Sequence, residues 1–237
     1  MSRGPEAGRL EGSACPSLHP GGLALTVHAL ESCALPPAAL VLDVGCGAGA
    51  TVRYLRSLGL RAMGLDASAL LGAAARAGAA APLLRADGAH LPFAAAALDA
   101  VLLECSLSLL PDLELALAEC ARVLAPGGWL VVSDLYARDT HAAEMPGLEP
   151  GCVGRFATRE RLISAVTRSS FALTLWEDHS PALAAYVVRR LLAPVPPNGE
   201  PDIPGLVDAI ARGRRVRAGY FLLVANRVTS KEGQDHA

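Results

Sequence analysis

One stretch limits what this chain can become: Val41-Leu42-Asp43-Val44-Gly45-Cys46-Gly47-Ala48-Gly49-Ala50-Thr51. Val41 to Val44 read as a buried strand. Three glycines then alternate with small residues, and a helix-compatible run follows from Thr51. A strand that ends in alternating glycines and feeds a helix lets a ligand come close to the backbone. The helix beyond offers unpaired N–H groups and the positive end of its dipole. Gly45, Gly47 and Ala50 also satisfy the loose dinucleotide fingerprint, so this stretch alone leaves a nicotinamide-type ligand open.

The chain around it alternates strands and helices. Residues 1–20 are rich in Gly, Pro and Ser and read as irregular, with a turn at His19-Pro20-Gly21-Gly22. Leu23–Leu35 reads as a helix presenting Leu23, Val27 and Leu30 on one face, stopped by Pro36-Pro37. Strands are expected at Leu40–Val44, Ala62–Leu65, Leu83–Ala86, Leu98–Leu103 and Trp129–Ser133. Helices are expected at Ala50–Leu58, Ser68–Ala77 and Pro111–Leu124, with Ala125-Pro126-Gly127-Gly128 closing the last. Five such units imply a doubly wound parallel sheet with right-handed crossovers. Further on, Arg155–Ser169 reads as a helix, Phe171–Glu177 as a strand and Tyr220–Ala225 as a final strand. Residues 181–218, with a helical start and a bend at Pro194-Val195-Pro196-Pro197, read as an insert between them.

In an open parallel sheet, ligands bind beyond the carboxyl ends of the strands. Asp43, Asp66, Asp87, Glu104 and Asp134 fall near the ends of the first five expected strands. Acids scattered at random would not do so.

The run Asp43-Val44-Gly45-Cys46-Gly47-Ala48-Gly49 resembles the first motif of class I S-adenosylmethionine-dependent methyltransferases. The resemblance extends, in order and spacing, through Ala86-Asp87-Gly88-Ala89-His90-Leu91-Pro92-Phe93, Leu98-Asp99-Ala100-Val101 and Arg122-Val123-Leu124-Ala125-Pro126-Gly127-Gly128. It covers roughly residues 39–134. The central motifs look closest to type 11 methyltransferase domains of quinone biosynthesis and arsenite detoxification. The resemblance implies an α/β, Rossmann-like, doubly wound seven-stranded sheet, mostly parallel with an antiparallel last strand. It also implies S-adenosyl-L-methionine as cofactor and methyl transfer to a small-molecule acceptor. Residues 1–38 would form an N-terminal segment and helix over the active site, and residues 39–237 the methyltransferase domain.

The cofactor residues follow from that resemblance. Gly45, Cys46, Gly47 and Gly49 would give the methionine part access to the backbone. Asp43 would order the loop or reach the donor's amino group indirectly. Asp66, with Ala67, would hold the ribose hydroxyls, and Asp87, with Gly88, the adenine edge. The competing readings are a helix-start acid for Asp66 and a side-chain turn for Asp87. Glu104 falls near the methyl group as a cofactor contact or a general base, with a solvated loop acid as the plain alternative.

Catalytic candidates are Glu104, Cys105, Cys152 and His90, with His141 a further acceptor base. Cys105 and Cys152 raise a soft acceptor such as trivalent arsenic, as the arsenite-methyltransferase likeness implies. None of the six cysteines pairs as C-x-x-C, so no zinc ribbon is indicated. Cys33, Cys46 and Cys120 read as packing residues. Glu177-Asp178-His179 is weighed as a metal ligand set and set aside for a charged loop. A net charge of −2 leaves no electrostatic footprint for nucleic acid. The apolar run at 98–110 is broken by Asp99 and Glu104, so no membrane span is expected. No secretion signal is read at Met1–Glu6, and a cytoplasmic protein is expected. Oligomeric state stays open, with a homodimer as one option. The rival functions are a nicotinamide-dependent oxidoreductase and a non-catalytic subunit that binds a partner through the insert.

Overall fold

In the computed structural model, residues 19–68, 81–138, 156–192 and 218–228 are described. The expected helix at Ser68–Ala77, Cys152, His141 and most of the 181–218 insert lie outside them.

Seven strands form one sheet in the order β3-β2-β1-β4-β5-β7-β6. These are β1 (Leu40–Val44), β2 (Arg61–Asp66), β3 (Leu83–Arg85), β4 (Leu98–Glu104), β5 (Leu124–Ala137), β6 (Phe171–Asp178) and β7 (Ala218–Arg227). The pairs from β3 to β5 are parallel. β7 runs antiparallel to both β5 and β6, so it slots between two strands that point the same way. The expected sheet, with its antiparallel last strand, is the one observed.

Helices α1 (Gly22–Glu31), α2 (Ala50–Ser57) and α5 (Ser180–Leu192) cover one face. Helices α3 (Leu113–Val123) and α4 (Arg159–Arg168) cover the other. Side chains alternate across the pleat. Val41, Leu102, Val131 and Leu222 pack toward α1, α2 and α5. Leu42, Val101, Leu103 and Leu223 pack toward α3 and α4. Both faces are covered, which is why β4 reads as a continuous apolar run.

Three local expectations are revised. α1 ends at Glu31, because Ser32 and Cys33 turn their N–H groups back to Ala29 and Leu30 in tight three-residue bonds. Its buried face is Gly22, Leu25, Thr26 and Ala29, with Leu23, Val27 and Leu30 only flanking it. A threonine faces inward because it has a partner there, Glu104. β5 starts at Leu124: Pro126-Gly127-Gly128 is an outward bulge within the strand, and pairing with β4 resumes at Trp129. Asp134 therefore lies inside β5.

Two motif runs explain themselves in the packing. Asp99 accepts the Leu40 N–H at 2.7 Å and fixes where β1 starts beside β4. Arg122, paired with Glu119, donates to the Leu91 and Phe93 carbonyls at 2.8 and 2.7 Å. Glu119 accepts the Leu91 N–H in turn. Two segments about thirty residues apart, both legible as motifs, are one clamp; that spacing follows from bonds spanning 28, 29 and 31 residues.

Candidate functional site: an acidic bend at the carboxyl edge

β1 delivers Val44 to the carboxyl edge of the sheet, and the chain then bends through Gly45, Gly47 and Gly49, all at positive φ. At Gly45 (φ +79°) a Cβ would lie 2.4 Å from the Cβ of Ser106. Ser106 holds the bend by donating its hydroxyl to the Val44 carbonyl at 2.6 Å. Gly45 and Cys46 both donate their N–H to the Leu65 carbonyl. Cys46 presses its sulfur into the space that Gly64 of β2 leaves free. Burial pushes its thiol well above the ordinary value, which makes it a packing group. α2 then opens at Ala50, directly beyond the bend.

Three acids converge here. Asp43 is 3% exposed. Its carboxyl is raised well above the usual range, first by burial and then by the charges of Glu104 and Asp66. Asp66 accepts the Gly47 N–H at 2.8 Å on one oxygen and the Ser68 N–H at 2.7 Å on the other. An ionised carboxylate offers about four acceptor positions, so each oxygen keeps capacity for one more donor. The acid therefore both starts the next segment and ties down the glycine bend. Ala67, next along, is exposed at the same edge.

Glu104 is gripped from two helices. Thr26 of α1 donates to one oxygen at 2.6 Å and Thr51 of α2 to the other at 2.7 Å. His19 brings Nε2 to 3.4 Å from the same carboxylate. That nitrogen is buried and makes no hydrogen bond, while Nδ1 lies 3.2 Å from the Pro20 carbonyl. Sequence reasoning missed His19, Thr26, Thr51 and Ser106. Each lies outside the motifs or is chemically ordinary within them, and only the fold brings them to Glu104 and Gly45.

The other expected residues are placed differently. Asp87 is exposed, accepting the Ala89 N–H at 2.9 Å and pairing with His90 at 2.9 Å. Its carboxyl is held below its ordinary value, chiefly by the Ala89 bond. These contacts make a side-chain turn that leaves the Asp87 carboxylate at the exposed rim, with His90 on its outer side and 71% exposed. Gly88, beside it, is buried against Val44 and Leu110. Cys105 contacts the Tyr220 hydroxyl at 3.1 Å. Burial first, then the Asp134 charge, push its thiol well above the ordinary value, so it is a neutral thiol. Cys33 and Cys120 are likewise pushed up to about 12 by burial.

Past Ser106 the same edge opens into a cavity of about 590 Å³, walled by Leu107, Leu110, Asp134, Phe156, Leu162 and Phe221 among others. Asp134 is 1% exposed and fully engaged: it accepts from the Ser108 N–H and hydroxyl and from the Leu135 N–H at 2.7–2.8 Å.

A doubly wound sheet with a glycine bend and acids near successive strand ends defines a Rossmann-like fold. Residues 42–132 match the methyltransferase domain family Methyltransf_11. Over this segment, which runs from β1 into β5, the chain is similar to the class I S-adenosylmethionine-dependent methyltransferases. It is 37% identical over 154 residues to the malonyl-(acyl-carrier protein) O-methyltransferase of Enterobacter lignolyticus (strain SCF1), covering 62% of this chain and 61% of that protein. It is also 37% identical over 118 residues to an uncharacterized methyltransferase, YodH, of Bacillus subtilis (strain 168), covering 48% of this chain and 50% of that one. The chain thus matches about half to three-fifths of the length of these relatives. Among solved structures, the [4+2]-cyclase SpnF superposes with a TM-score of 0.69 at 24% identity, over 92% of this chain and 86% of that one. No helix among the described residues is long and apolar enough to cross a membrane.

Proposed function

We propose that this chain is an enzyme that transfers a methyl group from S-adenosyl-L-methionine to a small-molecule acceptor. One observation carries the reading: the charges acting on buried Asp43 are those of two more acids, Glu104 and Asp66, beside a bend whose three glycines all take a positive φ. Such a cluster favours a cationic ligand that lies against backbone. The donor carries an ammonium and a sulfonium on one chain, and it supplies a methyl group whose leaving group is a neutral thioether.

The residues divide the work. Gly45, Gly47 and Gly49 keep the bend open. Glu104, fixed by Thr26 and Thr51, presents negative charge where the cation lies. Asp66 uses its remaining acceptor capacity for the ribose hydroxyls, and Asp87 reads the adenine edge from the rim. The acceptor enters through the cavity beside Leu107 and Phe156, whose walls suit an apolar body. The O-methyltransferase relative supports an oxygen acceptor. His19, whose buried Nε2 lies 3.4 Å from the Glu104 carboxylate, backs it from the N-terminal side. The chain's main contribution is to hold donor and acceptor in line, an effect that supplies several kcal/mol. We place the protein in the cytoplasm.

Titration calorimetry tests this. S-adenosylhomocysteine binds and NAD does not; the reverse would make the protein a nicotinamide enzyme. Asp66→Ala weakens that binding at least about tenfold, or 1.4 kcal/mol. Wild-type affinity in the variant removes the ribose assignment. The cyclase neighbour shows why binding is not enough, since the fold alone does not fix the reaction. Methyl-labelled donor incubated with a cell extract must yield a labelled small molecule, and labelling of nothing favours a non-catalytic, partner-binding subunit.

A further inference from the structure

Away from the acidic bend, at the carboxyl end of β6, three side chains converge that the proposed methyl transfer does not use. His28 of α1 and His179, just past β6, each bring Nε2 to 2.8 Å from the same Glu177 oxygen, Oε2. The three ligand atoms lie within 4.8 Å of one another. The two rings are 6.2 Å apart, centroid to centroid, and tilted at 59° rather than stacked. The side chains are 46%, 33% and 27% exposed for His28, Glu177 and His179, so an ion can enter from solvent.

We propose that His28, Glu177 and His179 form a binding site for a zinc-class divalent cation. Two imidazoles and one carboxylate are a ligand set that borderline first-row metals favour. Glu177 and His179 are two residues apart along an extended segment, which turns both side chains to one side. His28 arrives from a helix 149 residues earlier. The dimensions fit. Ligand atoms around a tetrahedral zinc with bonds of 2.0–2.1 Å stand about 3.3 Å apart. Each 2.8 Å contact must open by about half an ångström, which two partly exposed rings and a carboxylate accommodate by small rotations. The neighbouring acid, Asp178, is engaged elsewhere, with the Tyr136 hydroxyl at 2.8 Å and the Ser180 N–H at 2.7 Å. It does not compete for the ion. Solvent completes the coordination.

The placement gives the ion a structural consequence. α1 carries His28 near its end and Thr26, which holds Glu104, two residues earlier. An ion shared by His28 and the end of β6 pins α1 across the sheet and steadies its hold on Glu104.

Zinc titration of the metal-stripped, tag-free full chain by calorimetry tests the site. The expected result is one equivalent bound. In Glu177→Gln, His28→Ala and His179→Ala the affinity falls at least about tenfold. Zinc also raises the thermal midpoint of the wild-type chain and of none of these variants. Should one variant fail to fold, the other two, at partly exposed positions, decide. No uptake by the wild type, or equal uptake by wild type and variants, overturns the proposal and leaves the trio a hydrogen-bonded surface network.

Discussion

Two buried acids at the same edge of the sheet behave in opposite ways. Asp134, in the β5–β7–β6 half, is surrounded by donors: two from Ser108 and one from Leu135. Asp43, in the β3–β2–β1–β4 half, is surrounded by other acids. Burial raises the carboxyl of both, but at Asp134 every other contribution pulls it back down. A buried charge that its own chain satisfies belongs to the fold. A buried charge that its own chain aggravates is waiting for something the chain does not contain. The distinction separates the framework of this protein from its proposed ligand site without reference to any motif.

The strongest challenge to that comparison is at the bend. Gly45→Ala places a methyl group against Ser106 at a positive φ, costing about 3 kcal/mol in strain and overpacking. Denaturant unfolding shows the lost stability, and S-adenosylhomocysteine binding disappears with it. Tight binding by this variant would mean that the donor does not lie on the bend. Asp134→Ala comes next, at about 3 kcal/mol or a little less, because it strands the buried Leu135 N–H and the half-buried Ser108 N–H and hydroxyl. Here the expected loss is of stability alone. Measured at a temperature where the variant is folded, donor affinity stays within about twofold of wild type, well under the tenfold step that 1.4 kcal/mol represents. A large loss of affinity would erase the difference between the two halves.

The same division governs what the amino-acid sequence disclosed. The succession of strands and helices and the glycine bend are legible because each depends on neighbours a few residues away, and Asp43, Asp66 and Glu104 are legible as acids near strand ends. The Arg122 run and the Leu91-Pro92-Phe93 run are legible too, though their clamp is not, since nothing local says that a guanidinium reaches back to those carbonyls. α1 was the least legible element. Its apolar spacing points to Leu23, Val27 and Leu30, while the fold turns Leu25, Thr26 and Ala29 inward. Thr26 wins that position through one short bond to Glu104, 78 residues away. His19 and His28 escaped for the same reason: their partners Glu104 and Glu177 lie far along the chain. The Glu177-Asp178-His179 run by itself is indistinguishable from a charged loop.

The smallest effect is the most discriminating, because its two readouts move in opposite directions. Asp43 has its carboxyl raised in the folded chain. Between an unfolded value of about 4 and that raised value, the folded chain holds more protons than the unfolded one. Stability therefore falls as pH rises through this window. Asp43→Asn removes the titration. Its ligand-free form gains about 1 kcal/mol at neutral pH, a rise in thermal midpoint of roughly 2–4 °C, and its stability declines less as pH rises from 4. Its affinity for the cationic donor falls about tenfold, because one of three converging acids is gone. Donor affinity should fall further than that for S-adenosylhomocysteine, which lacks the sulfonium charge. A variant that loses both stability and affinity would place Asp43 with Asp134, as a structural acid. A variant that gains stability while losing the donor shows that the strain at the bend is electrostatic and is relieved by the ligand's positive charge.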